Sequence, residues 1–241
     1  MKVIVIIPAA GLGTRMAPST ATAQGRARSK QFAQLEGVPI LIHTLRKFAR
    51  TEEISEIWVA MRKSESELFQ EEARKYDLGH KVHIVEGGEH RQQSVANALN
   101  ALRAAEDDIV LVHDAVRPLI DAATIERTID AVEQFGAAIV GMPAVDTIKQ
   151  VERTAHGALV TATIPREFVV LAQTPQGFRY GLLQRAFAEA TEDGFIGTDE
   201  ASVVERAGLP VAVVPGSQVN LKITQPGDLE LAEFYLRRHA R

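Results

Sequence analysis

Along the first 142 residues, short runs of β-branched apolar residues alternate with segments whose apolar positions recur every three to four residues. The runs at 3–7, 54–60, 81–86, 109–113 and 137–142 predict strands. Between them, 39–49 sets Leu41, Leu45 and Phe48 on one helical face, 92–103 does the same with Val95, Leu99 and Leu102, and 122–135 with Ile125, Ile129 and Val132. Strand, helix, strand in this order predicts an α/β fold, a mostly parallel sheet with helices on both faces. In such sheets ligands sit beyond the carboxyl ends of the strands, so the loops after the strands are where chemistry is expected.

The rhythm breaks at 143–176, where alternating apolar residues around a Gly157 turn predict a β-hairpin followed by an irregular return, with no helix to cover it. A projecting arm with an exposed apolar face predicts a partner chain, here a second copy and so a homodimer. Beyond it the pattern predicts helices at 182–190 and 199–207, a strand at 211–214, a short strand at 220–223 and a terminal helix at 226–238. The whole chain, 1–241, reads as a single domain with the arm as its subdomain.

Composition narrows the chemistry. The chain has 241 residues, 46% of them hydrophobic, enough for one large core without covalent staples. It has no cysteine, which argues against a disulfide framework, a zinc–thiolate site and a thiol nucleophile, and fits a reducing cytoplasm. The apolar run at the start stops at Pro8, too short for a membrane span and without a cleavage pattern, so the expectation is a soluble cytoplasmic protein with no membrane partner. A formal charge of −4 gives no general attraction to polyanions, so nucleic acid is not expected and an anionic ligand must be met by local cations.

The loop after the first strand reads PAAGLGTRM, with Gly11 and Gly13. A dinucleotide fingerprint requires a third glycine where Met16 stands and an acidic residue closing a second strand, whereas Glu36 follows no apolar run. No Gly-Lys-Ser/Thr follows, which excludes the phosphate loop of that class of NTPases. A tight turn with no ligand stays open until the neighbours are weighed. Those are Arg15 and, after the small polar segment 17–29, Lys30. A glycine-permitted nest of backbone N–H groups beside two cations suits a polyphosphate, and Ala9, Ala10 and Gly11 let a flat base lie against the main chain.

In order along the chain follow GGEHRQQSV from Gly87, VHDAVRP from Val112, AVDTIK from Ala144, QTPQGF from Gln173, TDEAS from Thr198, and NLKIT from Asn220 with a Pro-Gly-Asp-Leu beyond it. Together with PAAGLGTRM and the Lys-Gln-Phe that opens at Lys30, they resemble the 2-C-methyl-D-erythritol 4-phosphate cytidylyltransferase family over nearly the whole chain. The resemblance implies a Rossmann-like nucleotidyltransferase domain, CTP and a polyol phosphate as substrates, Mg²⁺ as cofactor, and a homodimer through the β-arm.

In nucleotidyl transfer a phosphate monoester, already anionic at neutral pH, attacks the α-phosphorus of a triphosphate, so no general base is needed and cations should dominate the site. That argument and the resemblance both make Arg15 and Lys30 the catalytic pair. Gly88 permits close backbone approach, and Ser94 can hydrogen-bond the base or cap a helix. Asp114, at a strand's carboxyl end, can reach the ribose or hold Mg²⁺ near the triphosphate, and Ala115 beside it belongs to the nucleotide-binding set implied by the resemblance. Arg91 could pair with a phosphate or a carboxylate, His113 reads as a packed or hydrogen-bonded residue, and Thr198, Asp199 and Glu200 could line the pocket or start a helix. For the polyol phosphate the resemblance implies Asp146, Thr147 and Arg166 on the arm, donated across the dimer, with Lys222 and Arg117. A ribitol 5-phosphate enzyme and a non-catalytic nucleotide-binding domain stay open as alternatives. The segment 17–29 is expected to act as a lid that orders over CTP.

Overall fold

The computed structural model describes residues 1–11, 29–78 and 81–239. Arg15, Gly13 and all of the expected lid except Ser29 lie outside the described residues. A seven-stranded sheet is built from β1 (Val3–Pro8), β4 (Ile54–Met61), β5 (Val82–Glu86), β6 (Ile109–Val112), β7 (Ala137–Pro143), β10 (Val170–Arg179) and β11 (Ala212–Pro215). Its order is β11-β7-β10-β6-β1-β4-β5, and all neighbours run parallel except β10, which is antiparallel to both β6 and β7. Two small antiparallel pairs stand apart: β2 (Gln34–Leu35) with β3 (Val38–Pro39), and β8 (Ile148–Thr154) with β9 (Gly157–Ile164).

β1 shows why both faces are covered. Its side chains alternate, so Val3, Val5 and Ile7 enter one core while Ile4 and Ile6 enter the other, and all five are buried. The first core is closed by α1 (Ile40–Ala49), α2 (Lys63–Ala73) and α4 (Ala122–Phe135) through Leu41, Phe48, Phe69, Ile125 and Val132. The second is closed by α3 (Arg91–Ala101), α5 (Tyr180–Glu192) and α6 (Glu200–Arg206) through Val95, Leu99, Leu183 and Val203. A third, smaller cluster packs α7 (Pro226–His239) by Ala232 against Leu35, Ile40, Val116 and Ile223. Capping follows the chemistry of the sequence: Asp121 accepts the Thr124 N–H to open α4, and Gly136, at φ 83°, closes it in the left-handed region.

Two expectations need correction, and one helix escapes the pattern. The return from the arm is not irregular: it is β10, ten residues long and inserted between β6 and β7. Its pairing with β7 breaks between Ala172 and Gln176, and that bulged stretch, Gln173, Thr174 and Pro175, is what hides the strand from a period-two reading. The short strand expected at 220–223 is not regular structure; the segment is tied down by the Ile223 N–H to the Val116 carbonyl (2.9 Å) and the Asn220 side chain to the Thr174 carbonyl (2.8 Å). Finally α2, of which only Phe69 is buried, carries too narrow an apolar stripe for the pattern to show it.

The chain leaves β1, runs out to β4 and β5, and returns to β6 on the other side of β1. That reversal opens a crevice at the carboxyl ends of β1 and β6, the position at which parallel sheets bind ligands.

Candidate active site

The loops after β1, β5 and β6 meet the segment before α7 around one cavity, lined among others by Ala9, Ala10, Gly11, Lys30, Gly88, Arg91, Ser94, Asp114, Ala115 and Lys222. Seven of the residues expected at the nucleotide, Ala9, Ala10, Gly11, Gly88, Ser94, Asp114 and Ala115, are thus brought together with both lysines.

Each wall is fixed by a specific contact. The Ala9 N–H reaches the Ala60 carbonyl (2.7 Å), and the Ala9 carbonyl accepts from the side-chain amide of Gln31 (2.6 Å), whose nitrogen also faces Glu65 Oε2 (3.4 Å). Two acceptors on one atom identify it as the amide nitrogen. Glu65 also takes the hydroxyl of Ser29. Gln31 and Ser29 are both buried, so the residues flanking Lys30 are anchored to α2 and to the turn after β1. Ser94 neither caps α3 nor is left idle: its hydroxyl accepts the Gly88 N–H (3.0 Å) and donates to the His90 carbonyl (3.1 Å), holding the Gly87-Gly88 turn against the helix. The Ala115 carbonyl accepts from Thr44 of α1 (2.9 Å).

At the centre lies Asp114, 6% exposed. Its Oδ1 accepts from Arg91 Nε (3.3 Å), and its Oδ2 faces Arg117 Nε (3.2 Å) and Lys222 Nζ (3.1 Å). Burial alone would push its carboxyl up, but the charges of Arg91, Lys222 and Arg117 outweigh it and hold Asp114 well below the usual carboxylate range. Beneath it, Thr174 Oγ1 accepts the Asp114 N–H (3.1 Å) and lies 3.0 Å from His113 Nδ1, while His113 Nε2 lies 3.1 Å from the Arg117 carbonyl. A carbonyl only accepts, so Nε2 carries the proton and Nδ1 accepts from Thr174. Burial pushes the His113 imidazole down to about 4, and it is a neutral hydrogen-bonded residue as the sequence suggested.

The remaining expected residues divide. Arg117 is buried and does not line the cavity; beyond Asp114 it donates to the Asn220 carbonyl (2.8 Å). Lys222 reaches Asp114 from an irregular segment, so its orientation comes from the buried neighbour Ile223 rather than from strand alternation. Asp146, Thr147 and Arg166 lie on the arm and do not line this cavity; Arg166 donates to the Val145 carbonyl (2.6 Å) and is exposed. In TDEAS, Asp199 takes the helix-start role, its side chain accepting the Ser202 N–H (2.9 Å) and the Ser202 hydroxyl facing the Asp199 N–H (3.3 Å). Glu200 is fully buried and accepts from Arg91 Nη1 (2.6 Å); burial raises its carboxyl despite the opposing charge of Arg91. Sequence reasoning passed over Gln31 and gave Glu200 no partner. The adjacency of Gln31 to Lys30 was the available signal for the first; nothing in the linear sequence joins Arg91 to a residue 109 positions away.

The arrangement offers an apolar backbone cradle beside one buried carboxylate that cations from three segments, Arg91, Arg117 and Lys222, surround. Residues 3–238 match the family model described as 2-C-methyl-D-erythritol 4-phosphate cytidylyltransferase. The chain is 64% identical to the protein of that name from Acidobacterium capsulatum, covering 100% of this chain and 99% of the relative. It is 54% identical to the one from Solibacter usitatus, over 100% and 98%. Among solved structures it superposes on the Francisella tularensis enzyme of that name with a TM-score of 0.78 at 36% identity, covering 97% and 99% of the two chains. The Thermus thermophilus enzyme gives 0.75 at 34% identity, over 98% and 100%.

Proposed function

The chain belongs to the 2-C-methyl-D-erythritol 4-phosphate cytidylyltransferase family, and from that premise we propose how its residues divide the transfer of CMP from CTP to 2-C-methyl-D-erythritol 4-phosphate. An oxygen of the polyol phosphate forms a bond to the α-phosphorus of CTP, the bond from that phosphorus to the bridging oxygen of the β-phosphate breaks, and pyrophosphate leaves. The nucleophile is already an anion, so the protein's task is to bring two anions together and stabilise the charge that builds up between them.

Ala9, Ala10, Gly11 and Gly13 with Gly88, Ser94, Asp114 and Ala115 take the nucleoside. Arg15 and Lys30 take the triphosphate charge. Lys222 takes the phosphate of the polyol, with Asp146, Thr147 and Arg166 supplied by the arm of a second copy; Arg117 supports them by holding Asp114 and the 220–222 segment. The observation that supports this most is that Lys30 and Lys222, from separate loops, line one cavity with Asp114. A single buried carboxylate in the pocket is what Mg²⁺ asks of a protein when phosphates and waters supply its other ligands, so Asp114 fits as the residue that would hold it. When bound, the ion would neutralise triphosphate charge. Among the described residues no helix is long and apolar enough to cross a membrane, and we assign the reaction to the cytoplasm, where CTP is available.

The deciding experiment follows pyrophosphate release from CTP and Mg²⁺ with each polyol phosphate, in the parent and in Lys222→Met. Turnover is expected with 2-C-methyl-D-erythritol 4-phosphate and not with ribitol 5-phosphate. Lys222→Met should raise KM for the polyol phosphate at least tenfold, about 1.4 kcal/mol, with KM for CTP changed far less. A preference for ribitol 5-phosphate, or a selective rise in KM for CTP, would refute the assignment.

A further inference from the structure

Glu200 is a carboxylate in an unfavourable place. Its side chain is 1% exposed, and removing such a charge from water costs several kcal/mol that a well-packed apolar residue would not incur. Oε1 accepts from Arg91 Nη1 at 2.6 Å, while Oε2, also buried, has no hydrogen-bond partner among the described residues. A buried unsatisfied oxygen is uncommon enough in native proteins to require an explanation.

The explanation lies on the other side of Arg91. The same guanidinium that donates to Glu200 through Nη1 donates to Asp114 Oδ1 through Nε, at 3.3 Å. The guanidinium is planar and its N–H groups diverge at fixed angles, so pinning Nη1 sets where Nε points. Charge compensation is shared among three cations, but Arg117 and Lys222 both flank Oδ2. Arg91 instead supplies a hydrogen bond to Oδ1, on the side away from those two cations, and thereby the orientation of the carboxylate. Arg91 itself lines the cavity with 29% of its side chain exposed.

We infer that Glu200 is a positioning residue of the nucleotide site, acting through Arg91 to set the orientation of Asp114. The inference rests on the reading of Asp114 as a nucleotide-site residue given above. Partners of this kind, one contact removed from the ligand, cost about 10–100-fold when lost.

The test compares Glu200→Gln, Glu200→Met, Arg91→Lys, the Arg91→Lys/Glu200→Gln double variant and Asp114→Asn by steady-state kinetics and thermal unfolding. Both Glu200 variants should raise KM for CTP about tenfold or more, and Glu200→Met should also lower the Tm, because it removes one partner of a buried pair and leaves the charge of Arg91 less compensated. A mere folding defect would lower kcat per mole of protein and leave KM unchanged. Since Glu200 acts through Arg91, the double variant should be no worse than Arg91→Lys alone. A parental KM for CTP in both Glu200 variants, or losses that multiply in the double variant, overturns the inference. Parental KM for CTP in Asp114→Asn would instead overturn the reading of the nucleotide site on which it stands.

Discussion

Gly87 stands where a Cβ would meet Ala10 Cβ at 2.5 Å and Ser94 Oγ at 3.3 Å. The first contact is with an atom fixed to the backbone of the nucleotide cradle, which cannot rotate away, so the two turns approach more closely than any side chain at Gly87 allows. Gly87→Ala is therefore expected to lower the free energy of unfolding by about 1–3 kcal/mol through overpacking. By pushing Ala10 into the cavity it should also weaken CTP binding about tenfold. Urea denaturation and calorimetric titration with CTP measure the two effects, and unchanged CTP affinity would show that the close approach serves packing alone. At this scale the sequence was informative where the requirement is local: glycines for close approach, cations for phosphate, a strand-end carboxylate. It was silent on Gln31, whose amide ties the Ala9 carbonyl to Glu65, because that role depends on α2 arriving from 34 residues away.

Among the elements, the β8–β9 hairpin is the one that does not account for itself. A two-stranded hairpin is marginal alone in water, and this one exposes Val151, Leu159, Val160 and Ile164, with Val145, Phe168, Val170 and Leu171 exposed at its base. Within the hairpin, Val151 faces Val160 and Ile148 faces Ile164 across the pair. Its hydrogen-bonded sheet is separate from the seven-stranded one, so the body of the molecule does not depend on it. Replacing 148–164 by a short Gly-Ser linker should leave cooperative unfolding of the body intact but give a monomer by analytical ultracentrifugation, where the parent chain is expected to give a dimer. A linker variant that remains dimeric would place the interface elsewhere. The pattern of the sequence located the arm through the Gly157 turn and the absence of a helix to cover its apolar residues, although β8 also carries a bulge between Gln150 and Val151. It failed on β10 directly behind it, where a bulge interrupts the period, and on residues 220–223, where long-range hydrogen bonds rather than a ladder hold the chain. The parallel core strands were legible because burial on both faces makes them continuous apolar runs.

For the molecule as a whole, the formal charge of −4 hides a candidate-site cavity in which cations predominate among the described residues, and this sets how acid should act on it. Asp114, held far down by its cations, stays ionised through mild acid, so the charge cluster itself does not respond there. His113 does. Its ordinary value is 6.5 and burial lowers it to about 4 in the fold, so as the pH falls the unfolded chain takes up the proton first. Stability from keeping this imidazole neutral is fully present above 6.5 and lost progressively between 6.5 and about 4, since unfolding is favoured wherever the unfolded state binds more protons. Glu200, whose carboxyl is raised by burial, works in the opposite direction, so the effect of His113 has to be isolated by substitution. His113→Gln removes the titrating group while keeping an amide able to donate toward the Arg117 carbonyl. Between pH 7 and pH 5 the unfolding free energy of the parent should fall by about 2 kcal/mol more than that of His113→Gln, both measured in urea. In the folded parent CTP affinity should not track His113, because the imidazole is neutral there and has no proton to give to the reaction. Equal pH dependence in the two proteins would mean that His113 takes up its proton alike in the folded and unfolded chain, and a smaller fall in the parent would mean that it already carries its proton in the fold, with the hydrogen-bond direction through Thr174 reversed.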